Sequence, residues 1–157
     1  MITAEIIGDR EVIARIEGFN PKLRAELLAS TKVLNILLLR SVKEKLSGPV
    51  LRNRSDHLRA SIHGEVTESE ARIEAKTGTN VEYAHIHEYG GMTKPHVIKP
   101  RNALALHFYM GGKEMFLKSV NHPGSHIPER SYLRSSLKEL IPEIYAEYDR
   151  AIARALK

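Results

Sequence analysis

Tyr83-Ala84-His85-Ile86-His87-Glu88-Tyr89-Gly90-Gly91 is where the chain changes character. An aromatic run with alternating polarity ends in a glycine pair. Residues 92–126 then follow, basic, histidine-bearing and poor in long apolar runs. Read as a strand, the stretch puts Tyr83, His85, His87 and Tyr89 on one face. Read as a helix, it stops at Gly90, a residue that tolerates the backbone turn of a helix end. We expect helix in the first half of Val81–Tyr89 and extended structure near the glycines.

Downstream, Pro95–Lys99 and Leu104–Phe108 are short alternating runs split by Pro100-Arg101-Asn102. Met110-Gly111-Gly112-Lys113 has the form of a hairpin turn, and Glu114–Val120 can pair back across it. Asn121–Gly124 breaks the pattern. These signals suit a ribbon or two packed core strands. Glycine density and charge favour the ribbon, because Lys94, Lys99, Arg101, Lys113 and Lys118 face Glu114 alone. We therefore expect an extended basic loop or hairpin over about 90–126, projecting from the body. A closing helix is expected from Pro128-Glu129, with Leu133, Leu137, Leu140 or Ile141, Ile144, Tyr148, Ile152 and Leu156 on one face. Pro142 lies inside it and predicts a kink or a restart.

Upstream, Ile2–Ile6 and Val12–Ile16 alternate around Gly8-Asp9, the pattern of an N-terminal hairpin. Asn20-Pro21 opens a long helix, with Asn20 as cap and Pro21 where its missing N–H costs nothing. Leu23, Leu27, Leu34, Leu38, Val42 and Leu46 recur at helical spacing, and Gly48-Pro49 ends the run. Leu58–Ile62 reads as a short helical turn. Ile62–Thr67 and Ala71–Thr77 read as two strands. The fold class is α+β: a long N-terminal helix packed on an antiparallel sheet, then the projecting segment, then a C-terminal helix. Length agrees with one domain over all 157 residues.

Composition narrows the chemistry. Hydrophobic residues make up 42% and charged residues 27%, as in ordinary globular chains. There is no cysteine, so disulfides and thiolate zinc sites are excluded. The longest apolar run, Ile36–Leu39, is far short of the ~18 residues of a membrane span. Met1–Glu5 lacks the features of a signal peptide, and we expect a chain made and used in a cytoplasm. The net charge of +5 is compatible with nucleic acid or an acidic protein surface without requiring either.

His85 and His87 would form a ligand pair on a strand, with His96, His107, His122 and His126 to complete a metal site. No metal motif of fixed spacing is present. A Gly-x-Ser-x-Gly elbow and a phosphate-binding glycine loop are also missing. No catalytic, cofactor or metal residues are assigned, and neither a small-molecule substrate nor a membrane is expected. The rival to a structural role is a small basic nucleic-acid-binding protein, with Tyr83, Tyr89, Phe108 and Tyr109 beside basic connectors. Arg130 and Arg134 are spaced one helical turn apart, either tying the helix start to its own domain or anchoring a neighbour.

The order of several motifs resembles a known family. Ile6-Ile7-Gly8-Asp9 comes first, then Leu46-Ser47-Gly48 with Val50-Leu51, then Leu58-Arg59-Ala60-Ser61-Ile62. Tyr83-Ala84 through Glu88-Tyr89-Gly90 follows, and Pro128-Glu129-Arg130-Ser131-Tyr132-Leu133-Arg134 closes the series. Together they resemble the small virion-morphogenesis proteins of tailed bacteriophages and prophages: tail-completion, head–tail joining and minor tail components. The chain departs from that pattern where Ser55-Asp56 stands in place of Thr-Gly, and segment 92–126 is longer than its minimal form. The resemblance implies an α+β fold and a ring-forming, non-enzymatic subunit of the tail or neck. It also implies a virion component assembled in the host cytoplasm beside other tail or connector proteins, with sequence-independent DNA contact in a lumen. The subunit-contact residues expected on this reading are Tyr83, His85, His87, Tyr89, Gly90, Lys94, Arg101, Lys113, Lys118, Arg130, Tyr132 and Arg134.

Overall fold

A computed structural model describes residues 2–7, 21–48, 50–51 and 55–156. The body begins with strand β1 (Ile2–Ile7) and helix α1 (Pro21–Lys45), followed by the short helix α2 (His57–Ser61). Strands β2 (His63–Glu68) and β3 (Ile73–Thr79) form the expected hairpin. β3 is central and antiparallel to both neighbours, in the order β1-β3-β2. Ile2 faces Thr79 and Ile7 faces Glu74, while His63 faces Gly78 and Glu68 faces Ile73. The N-terminal strand thus pairs with a strand some seventy residues later in the chain. The partner expected at 12–16, and the cap expected at Asn20, lie outside the described residues.

Helix α1 stops where Lys43, Lys45 and Gly48 predicted, one turn before Pro49. Its inner face carries Leu23, Leu34, Leu38 and Val42, but also buried Ser30, Thr31 and Asn35. The polar members meet helix α4 (Leu133–Ala155) and the sheet. Ser30 Oγ donates to Glu147 (2.8 Å), Thr31 Oγ1 lies 3.0 Å from Tyr148 Oη, and Ser41 Oγ donates to Ser136 Oγ (3.0 Å). Lys45 Nζ bonds Glu139 at 2.7 Å and Arg154 reaches Glu26 at 2.8 Å, so α1 and α4 run antiparallel. Glu147 is held down to about 2 by Ser30 first, then Arg154 and Arg150. Against the sheet, Thr77 Oγ1 donates to Asn35 Oδ1 at 2.7 Å in the buried interior.

The apolar core is one cluster of Leu38, Val42, Leu46, Leu51, Leu58, Ile62, Ala84, Tyr132 and Leu133. It joins the end of α1 to the beginning of α4. Asp56, which stands where glycine was expected, adopts φ 59° and ψ −5°. This left-handed conformation is the one a glycine there would supply, and Asp is among the few other residues that adopt it routinely. Both its carboxylate oxygens accept from Arg59, at 2.5 and 2.8 Å.

One expectation is corrected: helix α4 begins at Leu133 rather than near Pro128. Of the kink or restart expected at Pro142, the restart does not occur, and one helix runs through it. Packing of Leu133, Ser136, Ile144 and Ala151 along one side holds the turns on both sides of the proline in a single helix.

Leu38 is wholly buried at the centre of the cluster. Leu38→Ala is expected to lower stability by about 2–5 kcal/mol. A urea titration should show a lower midpoint at unchanged slope, whereas Lys32→Ala on the outer face of α1 should stay within ~0.5 kcal/mol.

Candidate functional site

Val81–Tyr89 resolves as a turn followed by helix α3 (Ala84–Tyr89), so the helix occupies the second half and not the first. The four aromatic residues of this stretch do not share a face. Helical spacing pairs residues four apart instead. Tyr83 meets His87 edge-on, with centroids 5.9 Å apart, and His85 packs on Tyr89 at 4.7 Å. The strand geometry that would have aligned His85 with His87 is therefore absent. Among the described residues no three potential metal ligands group together.

The residue that organises this stretch is Glu88, which was not among the expected candidates. Its side chain is 0% exposed. Oε2 accepts from the backbone N–H groups of Tyr132 and Leu133, both at 2.9 Å. Oε1 accepts from the N–H of Arg134 (2.9 Å), Ser131 Oγ (3.0 Å) and Arg134 Nε (3.2 Å). These are the amides that a helix leaves unpaired at its first turn. A carboxylate there also meets the positive end of the helix dipole. Helix α4 begins at Leu133 because this cap, delivered from α3, sits there.

The remaining contacts draw the same two segments together. Arg130 N–H donates to His87 O (2.9 Å) and Tyr132 Oη to Ala84 O (3.3 Å). Arg134 lies 4.3 Å over the Tyr89 ring and also bonds Glu129 at 2.6 Å. Gly90 has φ 70° and ψ −173°, a region essentially reserved for glycine. A Cβ on it would lie 2.8 Å from Glu129 N and 3.0 Å from Ile127 O.

From this joint a long hairpin departs. Strands β4 (Gly91–Met92) and β9 (His126–Ile127) pair at its foot, and β5 (His96–Ile98) and β8 (Val120–His122) pair in the same register. After a loop at 99–105, strands β6 (Leu106–Met110) and β7 (Lys113–Leu117) continue to the tip. Gly111 and Gly112, both at positive φ, make the two-residue turn. The segment is thus a paired ribbon and not two packed core strands. No residue from 91 to 127 is buried. Lys94, Arg101, Lys113 and Lys118 are all exposed along it.

Alternation gives the tip two faces. Leu106, Phe108, Met110, Met115 and Leu117 share one, with Lys113 at its end opposite Met110, as their cross-strand register shows. The other carries His107 stacked on Phe116 at 4.7 Å and bonded to Glu114 at 2.7 Å. Nearer the foot His96 stacks on His122 at 5.0 Å.

Among the other expected contact residues, Tyr83, His85 and Tyr89 are exposed, and His87, Gly90 and Arg130 are half-buried. Arg130 precedes α4, so it does not share a helical face with Arg134. Tyr132, expected at a subunit contact, is 0% exposed and belongs to this chain's own core. Burial, with Glu88 beside it, pushes its phenol well above the ordinary value.

The phage virion morphogenesis family matches the chain over residues 36–152, and the chain belongs to that family. The match covers the core end of α1, the joint, the whole hairpin and almost all of α4. No curated protein and no solved structure matches it. Among the described residues no helix is long and apolar enough to cross a membrane.

Glu88→Ala would leave several buried donors without an acceptor. We expect a loss of about 3–5 kcal/mol in chemical unfolding, comparable to breaking a buried ion pair. Protease digestion should then cut between residues 128 and 134 first. A second expectation concerns pH. Burial, followed by Arg130, pulls the His87 imidazole below its usual value, and its Nδ1 has no hydrogen-bond partner among the described residues. The unfolded chain titrates this group near ~6.5 and so binds more protons just below that pH. Stability should fall as pH drops through that value towards the lower folded one. His87→Phe should flatten that part of a stability–pH profile.

Proposed function

We propose that the chain is a non-enzymatic structural subunit of the tail or head–tail junction, and that it assembles into a homo-oligomeric ring. The observation that carries this reading is the hairpin. Residues 91–127 contain no buried position, yet their foot is fastened to the core by Glu88 and Gly90. A two-stranded ribbon is marginally stable alone in water. It adds no buried residue to the body, and its apolar tip face and its cations are surfaces for other molecules. Neighbouring subunits and other tail or connector proteins are the partners this favours, with assembly in the host cytoplasm and retention in the virion.

The cations of the hairpin give a second role within the same assembly. Among the described residues the side chains of Lys94, Lys99, Arg101, Lys113 and Lys118 have no acidic partner. Facing a lumen, they would contact passing DNA through its phosphates irrespective of sequence. The rival reading, a small basic nucleic-acid-binding protein, rests on these same side chains.

Met92 and His126 are cross-strand partners, so Thr93–Ser125 can be replaced by Asn-Gly to close a short hairpin. We expect this variant to keep the unfolding midpoint of the parent, while light scattering shows loss of its multimer and particles fail to complete. Completed particles would refute the proposal. DNA affinity without self-association, falling steeply with salt and lost in the same variant, would establish the rival.

A further inference from the structure

The body offers one sheet edge that suits the hairpin. In the order β1-β3-β2, strand β2 pairs on one side only among the described residues. All its residues but Val66 are exposed. Helix α1 overhangs this edge: Arg24 Nε bonds Glu68 at 2.6 Å, and Asn35 lies against Gly64, where a Cβ would meet Nδ2 at 2.8 Å. Helical spacing continues this stripe to Leu39 and places Ile36, 63% exposed, just outside it. An added strand would lie beneath those two apolar side chains.

Charge selects what can be added. Residues 63–82 carry five glutamates against Arg72 and Lys76. Glu74 is buried against those two cations and Glu68 bonds Arg24, which leaves Glu65, Glu70 and Glu82 as the exposed acidic side chains outside these ion pairs. The hairpin carries five cations against Glu114. Two β2 edges repel each other, and so do two hairpins, whereas hairpin and β2 attract. Like charges placed opposite one another across a sheet or an interface are destabilising.

We propose that the tip of the hairpin, β6 and β7, adds to the outer β2 edge of a second copy of this chain. Its face of Leu106, Phe108, Met110, Met115 and Leu117 then turns towards Ile36 and Leu39 of that copy. Main-chain hydrogen bonds supply affinity and the side-chain pockets specificity, as in other strand-addition complexes. The contact joins two different surfaces, so it repeats head to tail and can close into a ring. This inference rests on the self-assembling role proposed above and identifies the surfaces that carry it.

The absence of cysteine allows a direct test. One set of single-cysteine chains carries Lys113→Cys or Phe116→Cys at the tip, and the other Glu65→Cys or Thr67→Cys at the edge. They are mixed and treated with a short bismaleimide. We expect covalent dimers from tip–edge mixtures and essentially none from tip–tip or edge–edge mixtures. We also expect Glu65→Lys to weaken self-association about tenfold or more, and Lys113→Glu with Lys118→Glu to restore it. A multimer by light scattering that gives no tip–edge product overturns this docking and leaves the assembly role standing. A chain that stays monomeric at every concentration and gives no tip–edge product overturns both.

Discussion

A carboxylate on one short helix caps another helix that begins 45 residues later in the chain. Glu88 is wholly buried, so its charge is removed from water, a step that costs several kcal/mol unless donors replace the solvent. Three backbone amides, a serine hydroxyl and a guanidinium do so. The arrangement is reciprocal. The amides of the first turn of α4 are themselves without partners in their own helix. A shift of α3 against α4 would orphan both sides at once, which makes the joint specific as well as stabilising. The hairpin leaves from this joint: β4 follows α3 directly, and β9 runs back into the segment that α3 holds.

The consequence is a division of labour along the chain. The core cluster, the three-stranded sheet and the α1–α4 pair carry the fold. The hairpin contributes no buried residue to it. Residues that determine stability and residues that would determine assembly are therefore largely distinct. Tyr132 marks the boundary, because it lies in a motif of surface-like composition and yet is fully interior. Arg134 sits astride it, holding Glu88 from outside while its side chain stays half-exposed over Tyr89.

The two segments that carry the family resemblance, 83–90 and 128–134, gain a physical meaning from this geometry. They are the two halves of one joint. Gly90 is required because its backbone lies in a glycine-only region and a side chain would strike Glu129. Glu88 carries no local mark of its role, because nothing nearby in the sequence distinguishes a capping carboxylate from a solvated one. The one signal available was its spacing from Ala84, which on a helix puts both on the inner face.

Much of the fold was legible in the sequence because its signals are local. Apolar spacing and end signals in Pro21–Leu46 bounded α1, and alternation around Glu68–Glu70 bounded β2 and β3. The glycine pair at 111–112 and the charge around it marked an exposed hairpin. These features depend on backbone conformation and on solvation within a few residues of sequence. What only the tertiary structure decided is non-local. Strand β1 pairs across the sheet with β3, α4 begins five residues later than its sequence suggests, and Ser30, Thr31 and Asn35 lie inside rather than out. Each depends on a partner far along the chain, and periodicity carries no information about which distant group will supply a hydrogen bond.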